Sequence, residues 1–406
     1  MSSRFAALSQ RDFRVLWFGG LFSFLGIQMQ FFLRGILAWE LTRRADALGL
    51  VFFVFGLALL TGTPLGGVAS DRLPKRMVML VGQVGIVSSA VGMGTVVLAG
   101  VVQFWMLLVA SVIQGISFGF LGPARVAMAT DLVGRENLGN ALGLQSLAMN
   151  GTRVFAPSVA GALVGVPAFG IGPTYLVASA IAVLSLWLTA ILPNPPPTIR
   201  DAPQNPLLDI ADGIRYVRSH PDIRNIVLTT FAVLMFAFSY VSFIPALVEG
   251  EFGLGDQQVG FFASASSAGA LAAGFWVAGI ADSPHARAIM TVAGTLFGVM
   301  VIGLGLAPVF LVALVIAVIA GAGTTTFQTL SNTLALRSSE ASYQGRVQSI
   351  MQLGFAGFGL MSLPLGVLAE QIGLRPTLIL MGSVASIAVA IYGYSARVWG
   401  AAPVSS

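Results

Sequence analysis

Long runs of apolar residues alternate with short polar segments along almost the whole chain. Each run is about 20 residues long, the length that an α-helix needs to cross roughly 30 Å of hydrocarbon. We predict twelve membrane-spanning helices, over 16–39, 47–70, 77–98, 104–127, 141–164, 172–192, 226–247, 258–280, 288–305, 308–330, 347–368 and 377–394. The first run is too long for the apolar part of a signal peptide, so we expect it to remain as the first span.

The composition supports an all-α membrane protein. Of 406 residues, 56% are hydrophobic and 9% are charged, whereas soluble domains average about 25% charged residues. The 48 glycines fit this assignment, because small residues let membrane helices pack closely. The absence of cysteine excludes disulfides, thiol catalysis and cysteine-bound metals.

A polar segment divides the predicted spans into six and six. It follows Leu192 and reads PNPPPTIRDAPQNPLLDIADGIRYVRSHPDIRN. We therefore predict an N-terminal six-helix bundle over 1–193, a cytoplasmic linker over 194–225 and a C-terminal six-helix bundle over 226–406. Within the linker, 210–217 has the pattern of a short amphipathic helix lying along the membrane surface.

The two halves repeat one another in sequence. The matched positions are Pro173 and Pro376, Gln145 and Gln348, Gly161 and Gly366, and Asp71 and Asp282, at offsets of 203, 203, 205 and 211 residues. Four matches at nearly one offset indicate a duplicated six-span unit. We therefore predict two pseudo-symmetric bundles, an arrangement in which many transporters bind substrate near the membrane midplane between the halves.

The basic residues predict the orientation in the membrane. Sixteen of the 21 Lys and Arg residues, Arg125 among them, fall in the terminal segments and even-numbered loops. Only Arg43, Arg44 and Arg375 fall in odd-numbered loops. By the positive-inside rule, both termini are cytoplasmic in a multi-pass protein of the inner (plasma) membrane. The basic pI then follows from topology, and we expect the lipid bilayer but no nucleic acid as a partner.

The loop after the second predicted span, GGVASDRLPKRMVML, is more charged than its neighbours. Topology accounts for its basic residues but not for an acid that follows a glycine by one helical turn. A weaker copy of this loop, AGIADSPHAR, lies in the second half. The residues of interest in the loop, its copy and the end of the fourth span are Gly67, Asp71, Arg72, Lys75, Arg76, Arg125, Asp131, Asp282 and Arg287.

These residues resemble the major facilitator superfamily, whose signature in this loop is G-x-x-x-D-R-x-G-R-R/K. The chain matches it except that Pro74 replaces the second glycine, and in the second copy Ser283 replaces the arginine. The segments SQRDFRVLWFG, WELT, GPAR, RVFAPSVAG and QGRVQSIMQ resemble the branch of bacterial effluxers that includes macrolide and enterobactin exporters. The resemblance implies a gating role for the residues named above. Asp71 would contact a neighbouring helix end and the basic side chains when the inner side is closed, with Asp131 and Arg125 as candidate partners. The drug-antiporter signature G-P-x-x-G-G is only partly kept, at Pro157 and Gly161.

Polar residues inside the spans are the candidates for substrate binding. Arg153 lies near the middle of the fifth span, where a charge costs at least about 2.5 kcal/mol, and Ser146 and Asn150 share its helical face. Arg34 lies one turn after Gln30 in the first span. The other candidates are Gln114, Tyr240, Gln328, Asn332 and Gln352. Alternatives remain open: Arg153 as a structural residue bonded to carbonyls, Arg34 reaching the outer interface, and the others as packing hydrogen bonds.

Acidic residues are nearly absent from the spans, and only Glu40 approaches a span interior. Any proton coupling would therefore use Glu40, Asp71 or the substrate itself. Buried arginines without a deep acid indicate a small-molecule substrate that is anionic or rich in acceptors.

The chain has no Walker loop and no HExxH motif, and we expect no enzyme activity, cofactor or metal. We predict a monomeric secondary active transporter, most consistent with export; an importer, a lipid flippase and a non-transporting sensor or scaffold remain open.

Overall fold

The computed structural model describes residues 6–134, 138–166, 169–193, 206–280, 283–340 and 343–399, and their secondary structure is helical throughout. After a short 3-10 turn, Ala6–Ser9, the first six helices are α1 (Arg11–Thr42), α2 (Ala45–Arg72), α3 (Lys75–Leu98), α4 (Phe104–Val133), α5 (Leu138–Val164) and α6 (Ile171–Ala190). Then follow α7 (Pro206–Ser219), α8 (Pro221–Ala232), α9 (Asp256–Ile280), α10 (Ala286–Leu306), α11 (Phe310–Arg337), α12 (Gln344–Ile372) and α13 (Leu374–Trp399).

Eleven helical segments in the described ranges are long and apolar enough to span a membrane, and each overlaps one predicted span. The remaining predicted span, 141–164, lies within the 27-residue helix α5. The predicted all-α membrane fold is confirmed. One detail is wrong: the count of basic residues placed Arg125 in a loop, although it falls at the end of the predicted span 104–127, and α4 continues past it to Val133. Arg125 was counted with the loop because a charged residue near the end of a span is typical of the membrane surface.

The seventh span is less regular than its apolar sequence predicts. After α8 the chain continues through a π-helix (Val233–Ala237), a 3-10 helix (Phe238–Phe243) and a second π-helix (Ala246–Glu251). Pro245 lies just before the second π-helix and has no amide hydrogen to donate, so the hydrogen-bond pattern must change around it. Membrane helices tolerate such a proline through local 3-10 and π adjustments.

The chain forms two compact units. Unit 1 comprises Met1–Thr42, Val54–Pro206 and Asp256–Gly260, and unit 2 comprises Arg43–Phe53, Leu207–Gly255 and Phe261–Ser406. In unit 1, α3 packs against α4 and α6, and α1 packs against α5 and α6. In unit 2, α10 packs against α11 and α13, and α8 with its π-helical extension packs against α12 and α13. The same neighbours recur in each unit, as the sequence repeat predicts, while the boundaries at 193 and 226 stay a prediction.

Glycines allow the closest helix contacts in both units. In unit 1, α2 and α4 meet at Gly62, Gly66, Gly115 and Gly119. A Cβ atom on Gly115 would lie 2.6 Å from the Phe55 carbonyl oxygen on α2. In unit 2, Cβ atoms on Gly269 of α9 and Gly321 of α11 would overlap the backbone of the facing helix. Backbones can approach this closely only where neither helix carries a side chain.

Two helix ends make equivalent contacts with helices of the other sequence half. In unit 2, the start of α2 lies on α12, where a Cβ atom on Gly366 would lie 2.5 Å from the Ala45 carbonyl oxygen. In unit 1, the start of α9 lies on α5, and the backbones of Gly161 and Gly260 are in direct contact. Gly161 and Gly366 are one of the repeat pairs found in the sequence, and these contacts explain why both positions are glycine.

Candidate substrate-binding site

Arg34 is buried inside unit 1 and only partly satisfied by hydrogen bonds. Its Nη1 donates to the Ser111 hydroxyl oxygen on α4 at 2.8 Å, and its Nε makes a long contact of 3.5 Å with the Gln30 carbonyl oxygen. Its Nη2 has no hydrogen-bond partner in the described part of the chain. The side chain is 2% exposed and does not extend to the surface of the unit, as the interface-reaching alternative would require. A buried cation with a free donor can accept an anionic ligand.

Two predicted glutamines lie in the same region of unit 1. Gln30 Nε2 donates to the Ile86 carbonyl oxygen of α3 at 3.4 Å. Gln114 Nε2 contacts the Ile27 carbonyl oxygen at 3.5 Å, while its Oε1 has no partner among the described residues. Both side chains are almost completely buried. The structure thus brings Gln30, Arg34 and Gln114 together between α1, α3 and α4.

The sequence did not identify Tyr175 or Ser111 as neighbours of Arg34. Tyr175 of α6 is 1% exposed, lies near Arg34, and has a hydroxyl without a hydrogen-bond partner among the described residues. A lone tyrosine in the apolar run of α6 was the available signal for it. Ser111 lies one turn before Gln114 on α4, which was a weaker signal.

Arg125 is a second buried guanidinium, and no substrate-binding role was predicted for it. It is 3% exposed, and its Cζ lies 4.5 Å from the centroid of the Phe24 ring on α1. Its Nε and Nη2 have no hydrogen-bond partners within the described ranges. The helical spacing from Gln114 through Leu121 to Arg125, which places all three on one face of α4, could have indicated a buried position.

The polar stripe predicted on the fifth span is only partly described. Arg153 lies in α5 and is half-buried. Ser146 and Asn150 also belong to α5, but their side chains lie outside the described residues. Substrate binding by this stripe stays a prediction.

The candidates of unit 2 mostly make local contacts. Tyr240 is buried in the 3-10 segment, and its hydroxyl lies 3.3 Å from the Ser266 hydroxyl. Gln328 Nε2 donates to Thr324 Oγ1 one turn earlier at 3.3 Å, and Asn332 is half-buried one turn later on the same face of α11. Gln352 is exposed on α12. The contacts of Tyr240 and Gln328 are compatible with hydrogen bonds that support helix packing and equally with ligand binding.

The loop between α2 and α3 is fixed by contacts to two other helices of unit 1. Lys75 forms an ion pair with Asp131 on α4. Arg76 Nη1 donates to the carbonyl oxygen of Leu192, just after α6, at 3.0 Å. Gly67 lies within α2, and Arg72 at its end is exposed. The observed partner of Asp131 is therefore Lys75.

The acidic members of the candidate gate are less completely described. Asp71 lies in the last turn of α2, but its side chain is outside the described residues, as is all of Asp282. In the second-half copy, Arg287 Nη2 donates to Asp222 Oδ2 of α8 at 3.0 Å. A gating role for these residues stays a prediction.

Three other features of the described residues bear on function. Glu40, a candidate for proton coupling, is exposed near the end of α1. A crevice of about 290 Å³ lies beside Arg11 at the other end of α1, about 34 Å along the helix from Arg34. The letters GISFG at 115–119 match the nucleophile motif of α/β-hydrolases. They lie within α4, however, and not at the strand-to-helix turn that this motif requires.

Repeated bundles of apolar helices, with cationic side chains buried inside one of them, are typical of a polytopic membrane transport protein. The chain matches the Major Facilitator Superfamily over residues 16–359, and it belongs to that family. The resemblance noted in the loop between α2 and α3 is thereby confirmed.

Two sets of known proteins are similar to the chain. The enterobactin exporter EntS of Shigella flexneri is 26% identical over 319 residues, which cover 76% of this chain and 73% of that protein. EntS of Escherichia coli (strain SE11) is 27% identical over 322 residues, with the same coverage. Among solved structures, a POT family transporter in complex with 5-aminolevulinic acid has a TM-score of 0.72 at 14% identity, covering 96% of each chain. The nucleoside transporter NupG has a TM-score of 0.70 at 11% identity, covering 94% of this chain and 98% of that one. At these identities the structures show the fold alone.

Proposed function

We propose that the protein is a secondary active transporter that exports a small organic molecule carrying negative charge or several hydrogen-bond acceptors. The observation that carries this proposal is Arg34, whose guanidinium is buried in unit 1 with one donor unused. Removing an unpaired cation from water costs several kcal/mol. An anionic or acceptor-rich substrate would offset that cost while it is bound.

Transport would follow an alternating-access cycle, as in other transporters built from duplicated halves. In this proposal Gln30, Arg34 and Gln114 bind the substrate, and the charged loop around Lys75 holds one side closed. The substrate needs no chemical change, so the protein acts by binding and by changing conformation.

Export is favoured over import by the similarity to the enterobactin exporter EntS. The distribution of basic residues supports cytoplasmic termini, even when Arg125 is removed from the loop count. Uptake, lipid flipping and a non-transporting role are the other outcomes that the experiment must separate.

The first experiment identifies the substrate and the direction of transport. The protein is overexpressed in bacteria that lack their main efflux pumps, and metabolites in cells and medium are compared by mass spectrometry. We expect a compound to be depleted from the cells and enriched in the medium. Accumulation inside the cells would indicate an importer, and no saturable flux in proteoliposomes for any compound tested, lipids included, would overturn the proposal.

The second experiment tests Arg34 with the identified compound in proteoliposomes. Arg34→Ala should reduce kcat/KM at least about tenfold, because a hydrogen bond to a charged group is worth about 1.5–3 kcal/mol. Arg34→Lys should retain part of the activity, since it keeps the charge but loses the planar set of donors. Arg218→Gln, on the exposed face of α7, is the matched control and should transport normally. Normal transport by Arg34→Ala would contradict the proposed site.

A further inference from the structure

Among the described residues, the environment of Arg125 contains an aromatic ring but no anion. The guanidinium lies over Phe24, and the nearest part of α1 is Gly20, where a Cβ atom would lie 3.6 Å from Arg125 Nε. The ring of Phe118 meets the Phe24 ring edge-on, with 6.1 Å between centroids. Arg125 forms no ion pair with any described residue.

If Arg125 served to stabilise the fold, we would expect hydrogen-bond acceptors around its guanidinium, and the described residues supply none to Nε or Nη2. Buried arginines that stabilise a fold are paired with carboxylates or bonded to carbonyl oxygens, because an unpaired buried charge is destabilising. Here two of the three guanidinium nitrogens are buried without acceptors among the described residues. The cation–π contact with Phe24 contributes some stabilisation but uses none of the N–H donors.

Helices α1 and α4 present their arginines to each other in a reciprocal way. Arg34 of α1 binds Ser111 of α4, and Arg125 of α4 lies against Gly20 of α1. The two contacts are 14 residues apart on each helix, which corresponds to about 21 Å. Arg125 is therefore a position separate from the Arg34 cluster.

We propose that Arg125 and Phe24 form a second binding position for the transported molecule, one that accepts an organic anion attached to an aromatic ring. The proposal rests on the transport function proposed above and specifies the substrate class. The anion accepts hydrogen bonds from Nε and Nη2, which lie on one edge of the planar guanidinium and match the two oxygens of a carboxylate. The aromatic ring of the ligand packs beside Phe24 and Phe118, where offset and edge-on ring contacts are favourable.

Gly20 has a specific role in this arrangement. A Cβ atom at Gly20 would contact Arg125 Nε at 3.6 Å, and a side chain longer than that of alanine would compete with the ligand for this nitrogen. Because Arg125 is 3% exposed, the position must open before a ligand binds. Transporters populate such alternative states, and a ligand that binds one of them shifts the equilibrium towards it.

The test uses three small probes and the full-length protein in lipid nanodiscs, with affinities measured by calorimetry. Benzoate has both the charge and the ring, benzamide lacks the charge, and cyclohexanecarboxylate lacks the aromatic ring. We expect benzoate to bind the wild type with a Kd on the order of 1 mM. We expect Arg125→Gln to weaken benzoate binding at least about tenfold and to remove the preference over benzamide. Phe24→Leu should remove the preference for benzoate over cyclohexanecarboxylate.

Stability separates a binding role from a structural one. Removing an unpaired buried charge should leave the thermal unfolding midpoint of Arg125→Met unchanged or raised, while benzoate binding is lost. Arg218→Gln is the control and should keep the wild-type affinity for benzoate and the wild-type unfolding midpoint. The proposal is overturned if wild type and Arg125→Gln bind benzoate equally or not at all. It is also overturned if Arg125→Met unfolds at a markedly lower temperature without ligand.

The two proposals can fail separately. Benzoate binding that depends on Arg125, in a protein without saturable flux of any compound, would uphold this position and refute transport. Saturable export of an identified substrate with unchanged kcat and KM in Arg125→Gln would uphold transport and refute the second position.

Discussion

The ion pair between Lys75 and Asp131 joins two helix ends of unfavourable polarity. Lys75 is the first residue of α3, and Asp131 lies two residues before the end of α4. A cation at a helix N-terminus and an anion near a C-terminus are each destabilising, by about 0.3–1 kcal/mol. Their side chains are 11% and 22% exposed, so the pair is partly shielded from water. The ion pair therefore offsets the unfavourable interaction of each charge with its own helix end.

This geometry gives an unusual prediction for exchanging the two charges. Lys75→Asp combined with Asp131→Lys keeps an ion pair and places each charge at the favourable helix end. We expect the double variant to unfold at a higher temperature than the wild type, by an amount equivalent to about 1 kcal/mol. If the two residues must separate during transport, the more stable pair should not speed up the cycle. The turnover of the double variant in proteoliposomes should then be at or below the wild-type value.

The single variants provide the comparison. Asp131→Asn leaves Lys75 unpaired and should lower both the unfolding temperature and the rate of transport. If Asp131→Asn and the exchanged variant both turn over at the wild-type rate, the contact has no part in gating and is only a structural feature of this loop.

At the scale of single residues, the sequence indicated which side chains are unusual but not which ones meet. Arg34, Gln30 and Gln114 could be found because polar residues in apolar runs are costly and therefore conspicuous. Tyr175 and Ser111 gave only weak signals, and their proximity to Arg34 depends on packing between helices, which the sequence does not show. Arg125 was missed because it lies near the charged end of α4, where an arginine is unremarkable in sequence.

At the scale of the helices, the glycine contact between α2 and α4 should be sensitive to the smallest added side chain. A Cβ atom on Gly119 would lie 2.5 Å from the Gly62 carbonyl carbon, and both atoms belong to rigid helix backbone. We therefore expect Gly119→Ala to push the helices apart and reduce the yield of folded protein, measured by fluorescence-detected size-exclusion chromatography.

Gly122 on the same helix is a matched control, because nothing lies within 4 Å of a Cβ atom placed there. Gly122→Ala should fold at least as well as the wild type, since alanine favours a helix by up to about 1 kcal/mol over glycine. Equal yields of folded Gly119→Ala and Gly122→Ala would show that α2 and α4 are not held at this distance.

The helices themselves were more predictable than their irregularities. Apolar length defined the spans because the bilayer requires helices of nearly constant length. The π and 3-10 segments after α8 were not predicted, because Pro245 alone does not show whether a helix will kink, end or change its hydrogen bonding. The glycine contacts were not predicted either, because the sequence does not show which of the 48 glycines lie where two helices meet.

At the scale of the molecule, the first turn of α2 is held within unit 2 by a side chain distant in sequence. The Ala45 amide donates to Glu370 Oε1 of α12 at 2.6 Å, which satisfies a free N–H at the start of α2. The carboxylate is also favourable at that helix end. Glu370→Ala should therefore increase hydrogen–deuterium exchange across 45–49, whereas Glu370→Gln, which keeps an acceptor, should remain largely protected. Equal exchange in all three proteins would contradict this role.

The duplication was visible in sequence because both copies need the same few residues at equivalent contacts. Gly161 and Gly366 match at such a contact in the two units, and this explains their agreement at nearly the same offset. Substrate identity could not be predicted in this way. In our proposal it depends on side chains such as Arg125, which have no requirement to recur in both halves.

The orientation in the membrane can be tested directly, because the chain has no cysteine and any cysteine introduced is unique. Val101 lies exposed between α3 and α4, and Leu73 lies exposed between α2 and α3. If the termini are cytoplasmic, a membrane-impermeant maleimide should label Val101→Cys in intact cells and Leu73→Cys only after the membrane is opened. The physical reason is that the loop containing Leu73 carries Arg72, Lys75 and Arg76, and clustered basic residues are retained on the cytoplasmic side. The reverse pattern would invert the orientation and with it the direction of transport, and labelling of both sites in intact cells would contradict α3 as a membrane span.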